Sequence, residues 1–433
     1  MAVKCYQACN NLLHLYSPLN LLNIMKRSSI FIGLLCLCLW CKGQFGPKPT
    51  ILGHIDTLYS EVLKEKRPVW IYSPSYDTTY FSRPQYPVLY VLDGDSNFLS
   101  LVTMIQHLSV HNGNTVVPEM IIVGISNLPD KRTRDLTPTA SAMDPTSGGG
   151  EAFTDFLEKE LIPYVNNHYP TAPYGMFVGH SLGGLMVINT LLKHPTLFNS
   201  YVALDPSMSY DQANLLKQTK SLLNRQNFKG KSLFLGIANT MKPGMDTLQV
   251  RTDTSQITYH IRSILKLKDN LQAAVTDGLK WSYKYYPEDD HASLPLIAEY
   301  DALRFIFRDN RFPGVWPQNQ YFDKTYSSAQ IKSLMDTHYE LVSKEMGYPV
   351  RPPEALINQL GYTFLQQKDF ERSELFFQTN IHYYPNSFNV YDGMGDYYLA
   401  MSKKAQAIEY FQKALKLKNT SEIRDKLSRL IRN

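Results

Sequence analysis

The sequence predicts an α/β domain on a mostly parallel sheet, followed by an all-α helical repeat region, and three observations carry that reading. From about residue 50 to 310, short apolar runs alternate with helical stretches, as strands joined by crossover helices do. Beyond Pro317 the strand-like runs stop, and the chain aligns with itself at an offset of 34, the period of a helical-hairpin repeat. Within the first pattern, Gly179-His180-Ser181-Leu182-Gly183 has a glycine-serine-glycine spacing at a strand-to-helix junction.

Taken in order, the candidate strands are 69–72, 88–92, 120–125, 175–179, 201–204, 233–237 and 281–286. Several are apolar along their whole length, the pattern of strands covered on both faces. Helices are expected over 96–108, 151–167, 182–193, 255–271 and 293–307, and this alternation implies right-handed crossovers. The small-residue stretch 141–150, with Gly148-Gly149-Gly150, reads as a surface loop. In the last part, the offset of 34 pairs Leu360-Gly361 with Met394-Gly395, Phe364 with Tyr398, Ser373 with Ala407, Phe377 with Phe411 and Asn380 with Ala414. Small and aromatic residues at such positions let two helices pack closely. The pattern, with Pro385 where such a repeat closes, resembles the tetratricopeptide repeat. It places repeats at 354–387 and 388–421, with helices 328–346 and 421–431 capping the array.

The first 43 residues read as a leader. Lys26-Arg27 precede the apolar run 30–41, and Lys42-Gly43-Gln44 offers a cut site, the layout of a secretory signal peptide. The run is short of the roughly 20 apolar residues of a membrane-spanning helix, and no transmembrane segment is expected after cleavage. Met25 stands where such a signal begins, which makes 1–24 an upstream extension. The organisation is then a signal peptide at 1–43, an α/β domain at 44–316 and a helical domain at 317–433, in a periplasmic or secreted protein. All five cysteines, Cys5, Cys9, Cys36, Cys38 and Cys41, leave with the leader, so neither a disulfide framework nor thiol chemistry is expected. With 44% apolar and 19% charged residues the chain is globular. Removing Lys4, Lys26, Arg27 and Lys42 from 44 basic residues leaves 40 against 39 acidic, a balance that gives no electrostatic pull toward nucleic acid or an anionic membrane.

The chemistry centres on Ser181. Gly179 and Gly183 remove the Cβ atoms that would collide at a sharp turn, and Gly184 lets the following helix approach the sheet. The serine then projects at a helix N-terminus, where N–H groups favour a developing oxyanion. A serine hydroxyl needs a base. With the chain order serine, acid, histidine of a nucleophile elbow, His291 fits, since it follows the strand 281–286 and the turn Pro287-Glu288-Asp289-Asp290. His260 falls inside a helical pattern and reads as a surface or packing residue. The acid is expected on the loop 238–254, with Asp246 favoured over Asp253, which can equally cap the next helix; Asp289 and Asp290 read as turn-forming. The N–H of Leu182 and that of Asp95, after the strand ending at Leu92, are the candidate oxyanion hole.

These residues resemble the esterase D family of α/β-hydrolases, which includes ferric-enterobactin esterase, feruloyl esterases and S-formylglutathione hydrolase. The resemblance spans about 59–308 and rests on Tyr90-Val91-Leu92-Asp93-Gly94-Asp95, Arg134-Asp135-Leu136-Thr137-Pro138, the stretch 156–164, the elbow with Gly183-Gly184, Asp205-Pro206-Ser207 and Asp290-His291. It departs at Asp205, where many relatives have Ser-Pro-Ser, and the acid cannot be aligned. Some members work with a Ser-His pair, which would make Asp246 dispensable.

The expectation is an exported serine esterase of the α/β-hydrolase fold. It would use Ser181, His291 and Asp246 through an acyl-enzyme and need no cofactor or metal. A siderophore, feruloyl or acetyl-polysaccharide ester is the expected substrate, and the repeat region offers a surface for a protein partner. The alternatives are an acyltransferase using the same serine and a non-catalytic repeat-mediated binding protein.

Overall fold

The computed structural model describes residues 52–274, 278–312 and 319–432; the expected leader and the 316/317 boundary lie outside them. Eight strands form one sheet in the order β1-β2-β4-β3-β5-β6-β7-β8. They are β1 His54–Ser60, β2 Glu65–Tyr72, β3 Tyr86–Leu92, β4 Ile121–Ile125, β5 Thr171–His180, β6 Ser200–Leu204, β7 Ser232–Ala238 and β8 Lys280–Tyr286. β1 pairs with β2 and β2 with β4 antiparallel, and all other pairs are parallel. β3, β4 and β6 are buried at every position, which explains their unbroken apolar runs. β1 was not expected. As an edge strand it alternates in exposure and carries His54, Asp56 and Thr57, so its run is broken by polar residues.

Successive side chains of β3 serve opposite layers. Val88, Tyr90 and Leu92 join a core with Phe153, Leu185 and Ile261. Leu89 and Val91 face Phe98, Leu101 and Leu303 on the other side. The helices that supply these layers are α1 Gly94–Ser109, α2 Arg132–Leu136, α3 Gly150–Phe156, α4 Ile162–His168, α5 Leu182–Lys193, α6 Tyr210–Leu223, α7 Tyr259–Ala273 and α8 Leu294–Ile306. A π turn, Leu157–Leu161, joins α3 to α4. Helix α6, also unexpected, begins with Asp211, Gln212 and Ala213 in left-handed backbone. Because β4 lies on one side of β3 and β5 on the other, the winding reverses between β3 and β5. The crevice outside their carboxyl ends is where sheets of this kind hold ligands.

The remaining helices are α9 Asn319–Phe322, α10 Ser328–Met346, α11 Glu354–Gln366, α12 Phe370–Tyr383, α13 Phe388–Ala400, α14 Lys404–Leu417 and α15 Ser421–Arg432. A Cβ on Gly361 would stand 2.7 Å from the Phe377 ring, and one on Gly395 2.5 Å from Phe411. The 34-residue offset thus marks two equivalent places where a ring lies on bare backbone. Helix α10 belongs to two cores. Ile331 and Met335 pack with Leu360 and Phe364 of α11, whereas Val342 and Met346 pack with Leu303 and Phe307 of the α/β region. Lys280, the first residue of β8, pairs with Glu345 at 2.6 Å, so α10 docks at the amino ends of the parallel strands.

Candidate active site

The elbow follows from three local facts. β5 runs straight into α5 with Ser181 between them at φ 59° and ψ −117°, a conformation costly for a non-glycine residue. A Cβ on Gly179 would lie 2.5 Å from the Gly183 backbone, and one on Gly184 3.0 Å from Pro206, so only glycine fits these approaches. Ser181 N–H donates to Leu204 O and Ser207 N–H to Ser181 O, both at 3.0 Å, which ties the elbow to the end of β6. The strained serine is therefore held from both sides.

His291 sits on the loop after β8. Asp290 accepts from Ala292 and Ser293 N–H at 2.9 Å, and Asp289 O accepts from Asn239 N–H at 2.8 Å, so both carboxylate residues shape the turn and anchor it to the end of β7. The ring bridges two partners: Nε2 lies 3.1 Å from Ser181 Oγ and Nδ1 2.6 Å from Asp205 Oδ2. A second hydroxyl, Ser207 Oγ, is 3.2 Å from Ser181 Oγ.

The carboxylate that meets His291 is thus Asp205, at the end of β6; Asp246 does not reach it. Asp246 accepts from Leu248 and Gln249 N–H at 2.8 and 2.7 Å, starting the short 3-10 turn Gln249–Thr252. Asp253 accepts from Ser255 Oγ and Thr258 Oγ1 at 2.5 and 2.6 Å, in keeping with a cap ahead of α7. The reason is topological. β6 and β7 are hydrogen-bonded neighbours, so a carboxylate at either end can reach the β8 loop, and the Asp246 loop folds on itself.

Asp205 is fully buried in left-handed backbone at φ 40°. Its Oδ1 accepts from Ala238 N–H at 3.0 Å and its Oδ2 from His291 and, at 2.8 Å, from His260 Nε2. Burial alone would raise its pKa, but the hydrogen bonds from His260, His291 and Ala238 hold it well below the usual carboxylate range. An ionised Asp205 can only accept, so His291 carries its proton on Nδ1 and leaves Nε2 to accept from Ser181. His180 lies against His291, its ring tilted by 43° with centroids 4.4 Å apart. Burial, helped by His291, pushes the His180 pKa down to about 4, so at neutral pH that ring is uncharged.

Sequence reasoning missed Asp205 and His260. The signal for Asp205 was its replacement of serine in the Ser-Pro-Ser position, directly after an apolar strand; His260 had none beyond its helical spacing. Asp205, His260 and His291 are also, among the described residues, the group whose donor atoms lie within 4.8 Å of one another as a metal site requires. The same atoms make the hydrogen bonds just described, so an ion there would take His291 Nδ1.

Leu182 opens α5 and Asp95 lies in the first turn of α1, so both N–H groups belong to the turn that a helix leaves without intrahelical acceptors. The two helix starts are adjacent, since a Cβ on Gly183 would be 3.4 Å from Asp93 Oδ2 and from Leu92 Cβ. Asp93, the N-cap of α1, is itself left-handed at φ 53°. Its carboxylate accepts from Arg132 Nε and Nη2 at 2.6 and 2.9 Å and from Asn127 at 2.5 Å, which fixes the strand-to-helix turn.

The family described as Putative esterase matches residues 60–255, and the tetratricopeptide repeat matches 388–421. The ferri-bacillibactin esterase of Bacillus subtilis is 33% identical over 241 residues, spanning 51% of this chain and 78% of that protein. An IroE-like serine hydrolase from Shewanella oneidensis is 31% identical with a TM-score of 0.61, covering 76% of this chain and 99% of its own. An uncharacterised protein from Capnocytophaga ochracea shares the fold over 88% of this chain and 100% of its own, with a TM-score of 0.55 at 16% identity.

Proposed function

We propose, from the premise that this chain belongs to the esterase family of α/β-hydrolases and is a carboxylic ester hydrolase, that Ser181, His291 and Asp205 form its catalytic triad. The observation that carries the reading is the relay from Ser181 Oγ through His291 to Asp205, at 3.1 and 2.6 Å. Ser181 Oγ attacks the ester carbonyl as its proton passes to His291 Nε2, and Asp205 stabilises the imidazolium. The N–H groups of Leu182 and Asp95 receive the oxyanion. His291 then protonates the departing alcohol, leaving an acyl group on Ser181. Water, deprotonated by His291, attacks that acyl group and frees the acid and the serine.

The substrate we propose is a siderophore ester, because one of its relatives is a ferri-bacillibactin esterase. Export through the 1–43 leader would place the enzyme outside the cytoplasm, and the domain division at about 316 and a protein partner for the repeats complete the reading. In the purified 44–433 enzyme, Ser181→Ala is expected to abolish hydrolysis of a short-chain aryl ester, and an organophosphonate is expected to label Ser181. Turnover surviving Ser181→Ala would remove the nucleophile assignment. Assay of catecholate trilactone, feruloyl and acetyl-sugar esters side by side is expected to give the highest kcat/KM on the trilactone.

A further inference from the structure

We propose that His260 is a positioning residue of the esterase reaction, which fixes Asp205 and through it the orientation of His291. The inference rests on the Ser181-His291-Asp205 reading. One oxygen, Asp205 Oδ2, receives His291 Nδ1 at 2.6 Å and His260 Nε2 at 2.8 Å. The two rings stand at 89° with centroids 5.1 Å apart, so their N–H groups converge on that oxygen from different directions. The remaining oxygen takes the Ala238 N–H. Rotation of the carboxylate would break all three bonds.

The two imidazoles reach Asp205 from different elements. His291 rides on a loop and its side chain is 40% exposed. His260 stands in the first turn of α7, whose next residues Ile261 and Ile264 are buried in the core. The helix therefore supplies a fixed donor, and the loop residue that moves protons is aligned against a carboxylate already held. His260 also draws charge from the oxygen that must stabilise the His291 imidazolium. Its loss leaves a more concentrated negative charge beside the imidazolium that forms on His291 during the reaction. The titratable groups in contact with it are Asp205 and His291, with His180 tilted against His291; on its own helix, Arg262 is turned to Thr258 and Ser255, and Asp253, before the helix, is held by Thr258 and Lys242.

The test compares His260→Leu, His260→Gln and Asp205→Asn in the 44–433 enzyme, reading kcat and KM for a short-chain aryl ester across pH. His260→Leu is expected to lower plateau kcat by about 10- to 100-fold, the scale of removing a partner that orients a reacting group. KM should stay within about twofold, and the acid limb of kcat/KM should move to higher pH. His260→Gln, whose amide N–H has a similar reach, is expected to recover most of the lost kcat. Should His260→Leu not fold, His260→Asn, whose amide is too short to reach Asp205, carries the same expectation. An unmoved acid limb and plateau in the donor-less variant, with Asp205→Asn strongly impaired, would overturn the role of His260 alone. If Asp205→Asn is silent too, the triad reading fails with it.

Discussion

The carboxyl ends of the parallel strands and the repeat array both use glycine where chain segments approach most closely, and they differ in the strained side chains that stand beside those glycines. At the strand ends, Asp93, Ser181 and Asp205 adopt left-handed φ values of 53°, 59° and 40° with side chains in place. In the array the tight positions are Gly361 and Gly393, where bare backbone admits Phe377, and Gly395, where it admits Phe411. Strained non-glycine residues persist where the side chain is needed and the surroundings hold it. The array also has left-handed non-glycine residues, Lys368 and Ser402, but they lie in the turns between helices, and its ring contacts all use glycine. The difference implies that changes at the strand ends reduce activity more than stability, and changes in the array reduce stability more than activity.

The largest effect is expected at Asp205. Asp205→Asn keeps the shape but cannot hold His291 in the productive tautomer, and is expected to lower kcat by about 10⁴-fold. Asp246→Asn keeps a turn-forming side chain and should leave kcat within about twofold. The reverse ranking would return the acid to the β7 loop. Thermal unfolding should separate the two proteins far less than their activities do.

A second buried carboxyl sharpens the point. Glu299 of α8 is 3% exposed in the same domain, yet its environment is apolar, formed by residues such as Leu89, Val178 and Leu303. Asp205 has three donors and is held low. Burial pushes Glu299 up from 4.5 to about 8. The folded chain thus binds this proton more tightly than the unfolded chain, so the stability it contributes is complete below about pH 4.5 and is lost as pH rises through about 8. At about 1.4 kcal/mol per unit, the difference between wild type and Glu299→Gln should change by on the order of 3 kcal/mol between pH 5 and pH 8, in favour of the variant at high pH. Urea unfolding of both at the two pH values reads this; a constant difference would show that Glu299 stays ionised.

The same contrast explains what the sequence could reveal. Ser181 and His291 were legible because the elbow needs glycines at fixed spacing and the histidine follows the last strand. The array was legible because ring-on-glycine contacts recur at 34 residues. Asp205 was not, because adjacency of β6 and β7 makes two strand ends equivalent in space while chain order favours the later one. His260 was hidden by its helix, since an imidazole on a helical surface looks the same whether or not a carboxylate from another strand meets it. Strand β1 was hidden because an edge strand does not need to be apolar, and the left-handed start of α6 because no glycine marks it.

The smallest expected effect tests the array. Gly361→Ala places a methyl group where the Phe377 ring already lies 2.7 Å from the Cβ position, and Gly395→Ala does so at 2.5 Å from Phe411. Alanine is otherwise the better helix former by about 1 kcal/mol, so propensity and packing pull in opposite directions. Overpacking a filled site costs about 1–3 kcal/mol, and here the ring cannot retreat, because Phe377 and Phe411 are both fully buried. Packing should therefore win, with each variant destabilised by ~1 kcal/mol. The catalytic end is separated from these contacts by α10, which docks at the opposite ends of the strands, so aryl-ester kcat should be unchanged below the melting transition. A fall in kcat without a fall in stability would mean that the array and the strand ends are coupled, and the division between them would have to be abandoned.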